Sequence, residues 1–303
     1  MTSFSSSPIP VLLVVTAWLV PLSASAVSTG RLPPWVCGQA PLPLFFDGFE
    51  TGDGVYREPS EGSGGAFPGA QTRSVTVAGQ ARSYYLYIPN GYPFADAVPL
   101  LMVLHGAGGA GTAPAAASGL RDVWSGTAQA GQFIVVAPVA SGASGGWVPA
   151  SDYPMFKAVI EDMAMHYDID LSRVHGWGFS AGGHVMHDLA LRERGSAPDI
   201  RTFAAYGVSA GVLPALVCNG TGLPGCNSFL PQVPRRIPVV LRVGNSDAYF
   251  AYVQADANAF TNAGWVSGST LDFASFAGGH VLPPASQLQA AWQFFCPFQR
   301  LPD

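Results

Sequence analysis

Downstream of an irregular N-terminal quarter, the chain settles into short apolar runs separated by longer amphipathic ones. TRSVTVAG and RSYYLYIP alternate apolar and polar positions and meet at a glycine, which predicts an antiparallel hairpin. PLLMVLHG, FIVVAPV, RVHGWGF, TFAAYGV, IPVVLRVG and TLDFASF follow. Several are apolar at nearly every position, as strands buried on both faces are. Helical periods fall between most of them. MFKAVIEDMAMHY puts Phe156, Val159, Ile160, Met163 and Tyr167 on one stripe, and AGGHVMHDLALRE, AYVQADANAFTNAG and ASQLQAAWQFF read the same way. A hairpin followed by alternating strand and helix predicts an α/β fold: a mostly parallel sheet with an antiparallel edge and helices on both faces. Residues 210–235, rich in Pro, Gly and Cys, break the alternation and are expected to form a loop over one edge. No internal repeat is present.

The N-terminal segment reads differently. IPVLLVVTAWLV, residues 9–20, has the length of a secretory apolar core and is too short to span a membrane. Ala24 and Ala26 supply an A-x-A cleavage site, although no Lys or Arg precedes the run. Residues 1–26 are therefore expected to be a signal peptide, residues 27–72 a Gly/Pro/Ser-rich arm, and residues 73–303 the folded domain of a secreted protein, extracellular or periplasmic, with no stable membrane anchor. Asp47, Glu50 and Asp53 in the arm lack the spacing of a calcium loop and read as a solvated linker. Composition narrows the partners. The 303 residues are 49% hydrophobic and 11% charged, with a net charge of −5 and only 14 basic residues in no cluster. A nucleic-acid backbone needs a basic face, so nucleic acid is set aside. Four cysteines in an exported chain favour two disulfides. Three pairings are open; a local Cys218–Cys226 bridge across a turn-rich loop is preferred, which leaves Cys37 for Cys296.

The stretch HGWGFSAGGHVM, residues 175–186, admits three chemistries. Gly176, Gly178 and Ala181 fit a dinucleotide fingerprint, but two earlier strands and the missing acid after the next one argue against it. His184 and His187, three apart on a helix, lack the third ligand a catalytic zinc wants. The remaining reading is Gly178-Phe179-Ser180-Ala181-Gly182, a G-x-S-x-G between a predicted strand and a predicted helix. A serine on so sharp a turn is strained, and flanking side chains would strike the strand and helix beside it. The turn lifts the hydroxyl clear of the sheet and aims the Ala181 N–H at an incipient oxyanion. Such a serine needs a base and an orienting acid. VVLRVGNSD runs out into Asp247 and LDFASFAGGH into His280, both at strand ends, whereas Asp256 falls in a helix and Asp272 in a strand. LHGAGGAG at 104–111 is expected to supply the second oxyanion donor, Ala107, with Gly108 its nearest rival.

From about Arg73 to Phe298 the chain resembles the α/β-hydrolase superfamily, and within it secreted esterases of the polyhydroxybutyrate depolymerase and feruloyl esterase type. SYYLYIPNGY, PLLMVLHGAGG, YDIDLSRVHGWGFSAGGHVMHDLA, VVLRVGNSD and GGHVLP carry the resemblance. It implies a sheet of the eight-strand type, a triad of Ser180, Asp247 and His280, and no cofactor or metal. Ala107 stands where the family often has a cysteine, and Trp147-Val148 where it has a tryptophan-asparagine pair. Trp147, Phe179, Tyr249 and Leu282 are expected to line an apolar acyl or aryl pocket for hydroxyalkanoate or feruloyl-type esters, either small or polymeric. A serine peptidase and a non-catalytic binding protein on the same scaffold are the alternatives. Oligomeric state is not legible.

Overall fold

The computed structural model describes residues 57–195, 198–218 and 223–300. The expected signal peptide, most of the arm and Cys37 lie outside them. The chain forms β1 (Gly69–Val77), β2 (Gln80–Ile88), β3 (Val98–Leu104), α1 (Ala113–Gly131), β4 (Ile134–Pro138), α2 (Pro149–His166), β5 (Ile169–Phe179), α3 (Ala181–Leu191), β6 (Ala205–Ser209), α4 (Leu223–Phe229), β7 (Val239–Gly244), α5 (Phe250–Asn262), β8 (Leu271–Phe276) and α6 (Ala285–Phe295). They build one eight-stranded sheet in the order β1-β2-β4-β3-β5-β6-β7-β8. β1 pairs antiparallel with β2 and β2 with β4, and every later pair is parallel.

The near-continuous apolar runs explain the layering. In a strand, successive side chains face opposite ways. Leu100, Met102 and Leu104 of β3 join a core with Phe156, Val159 and Met163 of α2, Leu189 of α3 and Phe260 of α5. Leu101 and Val103 join the opposite core, with Leu120 and Trp124 of α1 and Leu288, Trp292 and Phe295 of α6. Each face removes water from its own half of the alternation, at roughly 25 cal/mol per Å² of apolar surface.

Three differences from the sequence reading stand out. The pairing of β1 starts at Gly69, four residues before Arg73, and the segment before it is tied down: the Ser60 N–H donates to the Ile169 carbonyl and the Leu171 N–H to that of Glu58. Helix α1 was not expected from the pattern. Within 210–235, α4 and two short 3-10 turns occur in place of a plain loop.

One bridge joins Cys218 to Cys226. Cys296 is also disulfide-bonded, and its partner lies outside the described residues. Among the described residues, no helix is long and apolar enough to cross a membrane.

Candidate active site

The strand order places the site. β3 is hydrogen-bonded to β4 on one side and β5 on the other. The connections leaving β3 and β5 therefore diverge, and in open parallel sheets such a switch point leaves a crevice at the carboxyl ends. Leu104 and Gly178 are register partners, so the turn holding Ser180 leaves the sheet beside the glycine loop that follows Leu104.

Ser180 has φ 52° and ψ −119°, a conformation that costs a non-glycine residue of order 1–3 kcal/mol. Its surroundings hold it there. The Ser180 N–H donates to the Ser209 carbonyl at 2.8 Å, and its own carbonyl accepts from Gly183 at 2.8 Å and His184 at 3.1 Å. The flanking glycines are dictated by contact. A Cβ at Gly178 would lie 2.2 Å from the Gly182 carbonyl oxygen, and one at Gly182 would lie 2.1 Å from that of Leu104. Helix α3 thus starts pressed against the end of β3. As its first residue, Ala181 has an N–H without an intrahelical partner.

The other two side chains come from the far edge. Gly244 and Phe276 are register partners, and the loops beyond them are stitched together: the Asn245 N–H donates to Phe276 and the Ser246 N–H to Gly278. A Cβ at Gly244 would lie 2.3 Å from the Gly279 carbonyl oxygen, so the strand ends in glycine there. From these loops Asp247 Oδ2 reaches His280 Nδ1 at 2.9 Å, and His280 Nε2 reaches Ser180 Oγ at 2.8 Å. The second Asp247 oxygen accepts from the Tyr249 N–H at 2.9 Å. The carboxylate is fully buried, while the imidazole is 39% exposed. One side of the ring is open to solvent and the other is packed. Phe179 and Tyr249 hold it in place, with ring centroids 5.2 and 5.4 Å away.

Of the four residues expected to line a pocket, these two face the imidazole. Trp147 donates its indole N–H to the His105 carbonyl at 2.8 Å and packs against Phe156. Leu282 packs against the α1–α6 core. Among the other acids, Asp256 lies on α5 and accepts from the Leu213 N–H at 2.9 Å, and Asp272 on β8 pairs with Arg242. Burial raises Asp256 to about 7. His184 accepts from the Val212 N–H at 2.9 Å, and His187 sits 3.2 Å from the Tyr206 hydroxyl with burial pushing it down to about 3.

No family model matches the chain. NocK of Nocardia uniformis subsp. tsuyamanensis, named as a candidate esterase, is 32% identical over 155 residues, which is 47% of this chain and 42% of that protein's length. Solved structures extend the likeness across the sheet. A ferulic acid esterase superposes with a TM-score of 0.55 at 18% identity, covering 76% of this chain and 98% of its own. The fold is that of the α/β-hydrolases. An esterase from Thermogutta terrifontis shares it at a TM-score of 0.52 and 17% identity, over 75% of this chain and 89% of its own. So does a candidate dipeptidyl aminopeptidase IV from Bacteroides ovatus, at 0.55 and 14%, over 76% of this chain and 36% of its own. The α/β-hydrolase fold therefore spans esterases and peptidases, and the choice between them has to come from the site.

One property of the site bears on that choice. The segments that follow the parallel strands at this edge of the sheet are 105–112, 139–148, 179–184, 209–212, 245–252 and 277–284. They hold no lysine or arginine and a single carboxylate, the buried Asp247; Arg82, which antiparallel β2 brings to the same edge, is paired with the buried Asp152. Val148, Tyr252 and Val281 stand exposed within them.

Proposed function

We propose that the protein is a serine hydrolase of uncharged carboxylic esters. The observation that carries the reading is the unbroken relay from the Asp247 carboxylate through His280 to the Ser180 hydroxyl, with both links at hydrogen-bond length. His280 Nε2 takes the proton of Ser180 as Oγ attacks the ester carbonyl. Asp247 holds the Nδ1–H, which fixes the tautomer and stabilises the imidazolium. The N–H groups of Ala181 and Ala107 receive the oxyanion, each worth about 3–4 kcal/mol in the transition state. The alkoxide leaves with the proton from Nε2. Water then attacks the acyl-enzyme with His280 again as base, releasing the acid and restoring Ser180.

The absence of unpaired charge along the described rim favours esters over peptides read from their termini, because an ammonium or carboxylate entering there would lose water and gain no free counter-charge. It fits hydroxyalkanoate oligomers and feruloyl-type esters, whose flanking groups are neutral and apolar. Export through residues 1–26 is part of the same reading, supported by the Cys218–Cys226 bridge.

The decisive experiment is Ser180→Ala. Turnover of a nitrophenyl butyrate should fall at least about a thousandfold, and fluorophosphonate labelling should vanish. Retained turnover would refute the assignment. Paired substrates test the neutral rim: a butyrate ester is expected to exceed its succinate half-ester counterpart at least about tenfold in kcat/KM, equivalent to about 1.4 kcal/mol.

A further inference from the structure

We propose that His105 is a positioning residue that aims the Ala107 N–H at the reacting carbonyl; the role rests on the serine-hydrolase reading above. His105 follows the last residue of β3 and is buried. Its Nδ1 lies 2.8 Å from the Gly106 carbonyl oxygen, and the Ala140 N–H donates to its Nε2 at 3.3 Å. A ring nitrogen that accepts carries no proton, so the single proton of the neutral imidazole sits on Nδ1 and is donated to Gly106. Burial holds this histidine below its ordinary pKa, which keeps the ring neutral and the tautomer fixed.

The Gly106 carbonyl shares a planar trans peptide with the Ala107 N–H, so the two point in opposite directions. Drawing the carbonyl inward to a buried ring turns the N–H outward. The loop is also close to the nucleophile: a Cβ at Gly106 would lie 3.1 Å from Ser180 Cβ. This orientation selects Ala107 over Gly108 as the donor.

His105 is itself braced. Trp147 donates to its carbonyl, and the two rings lie 4.7 Å apart. Val148, next in the chain, donates to the buried Asp152 at 2.7 Å, and Asp152 also pairs with Arg82 at 2.5 Å. A relay of fixed groups thus runs from β2 through the 139–148 loop to one peptide plane.

His105→Leu and His105→Asn test the role, with folding checked by thermal melting. Asparagine places an amide N–H near the Nδ1 position, and leucine removes the donor. For leucine, kcat on a neutral ester should fall about 10- to 100-fold, less than the loss of a whole oxyanion donor, with KM within about twofold. Asparagine should recover most of it. If leucine does not fold, Trp147→Phe keeps a ring but removes the bond to the His105 carbonyl, and a several-fold loss of kcat at unchanged KM is expected. Wild-type kcat in a folded His105→Leu or Trp147→Phe protein, or equal losses for leucine and asparagine, would overturn the positioning role while leaving the Ser180 reading intact. Activity that survives Ser180→Ala would sink both.

Discussion

At the scale of single residues, the site combines groups that the chain announces with groups it conceals. The meeting of Ser180, Asp247 and His280 was legible because the serine reading looks for an acid and a histidine at later strand ends, and glycines mark the turn. His105 was not: it reads as a histidine closing a strand, since its partners are backbone atoms of Gly106, Ala140 and the Trp147 indole. Nothing in the residue types of Gly106 or Ala140 encodes those bonds.

Asp256 is a third kind, a buried carboxyl outside the relay whose Oδ1 has no partner among the described residues. Its pKa near 7 lies above the unfolded value of about 3.9, so the folded protein keeps a proton that the unfolded chain releases. Unfolding is then increasingly favoured as pH rises from about 4 to about 7, at about 1.4 kcal/mol per pKa unit, and the penalty is constant above that. Asp256→Asn keeps an acceptor for Leu213 and removes the titration. Urea midpoints at the two ends of that window should show the variant gaining on the wild type toward neutral pH. His175 and His187, both pushed down to about 3 by burial, act with the opposite sign in the same range. They are common to both proteins, so the difference isolates Asp256.

Among the elements, glycine carries two meanings that the sequence cannot separate. Gly126 lies in α1, where an added Cβ would meet nothing within 4 Å, whereas a Cβ at Gly182 would strike the Leu104 carbonyl oxygen at the start of α3. Gly126→Ala should therefore raise the unfolding free energy by about 0.5–1 kcal/mol through helix propensity. Gly182→Ala should lower it by about 1–3 kcal/mol through overpacking, and chemical denaturation of the two variants side by side checks both signs. The strands were legible because their both-faces-apolar pattern survives any rotation of the reading frame. Helix α1 escaped because its buried positions include Ala113, Ala117 and Ala128, small residues that give a faint stripe. Helix α4 escaped because a Pro, a Gly and a disulfide cysteine dominate its seven residues.

For the whole molecule, the sheet order is what turns distant sequence into one site. Residues 180, 247 and 280 meet because β5, β7 and β8 are parallel and all end at the same edge. That convergence follows from topology rules the alternating pattern already implied. The way the 139–148 loop leans on the end of β3 does not follow from them, since it depends on which side chains happen to reach across.

A rim without unpaired charge also has a kinetic meaning. A protein of net charge −5 would ordinarily repel anions and attract cations through a field that dissolved salt weakens. A neutral ester arriving at a neutral mouth feels no such field and comes by diffusion alone. Its kcat/KM should stay level from about 0.01 M to about 1 M sodium chloride, a range over which the screening distance shrinks about tenfold. An anionic ester, held off by the rest of the surface, should instead react faster as salt is added. Stopped-flow rates for the two would show whether the proposed esterase chooses substrates by withholding attraction, with ionic strength narrowing the choice.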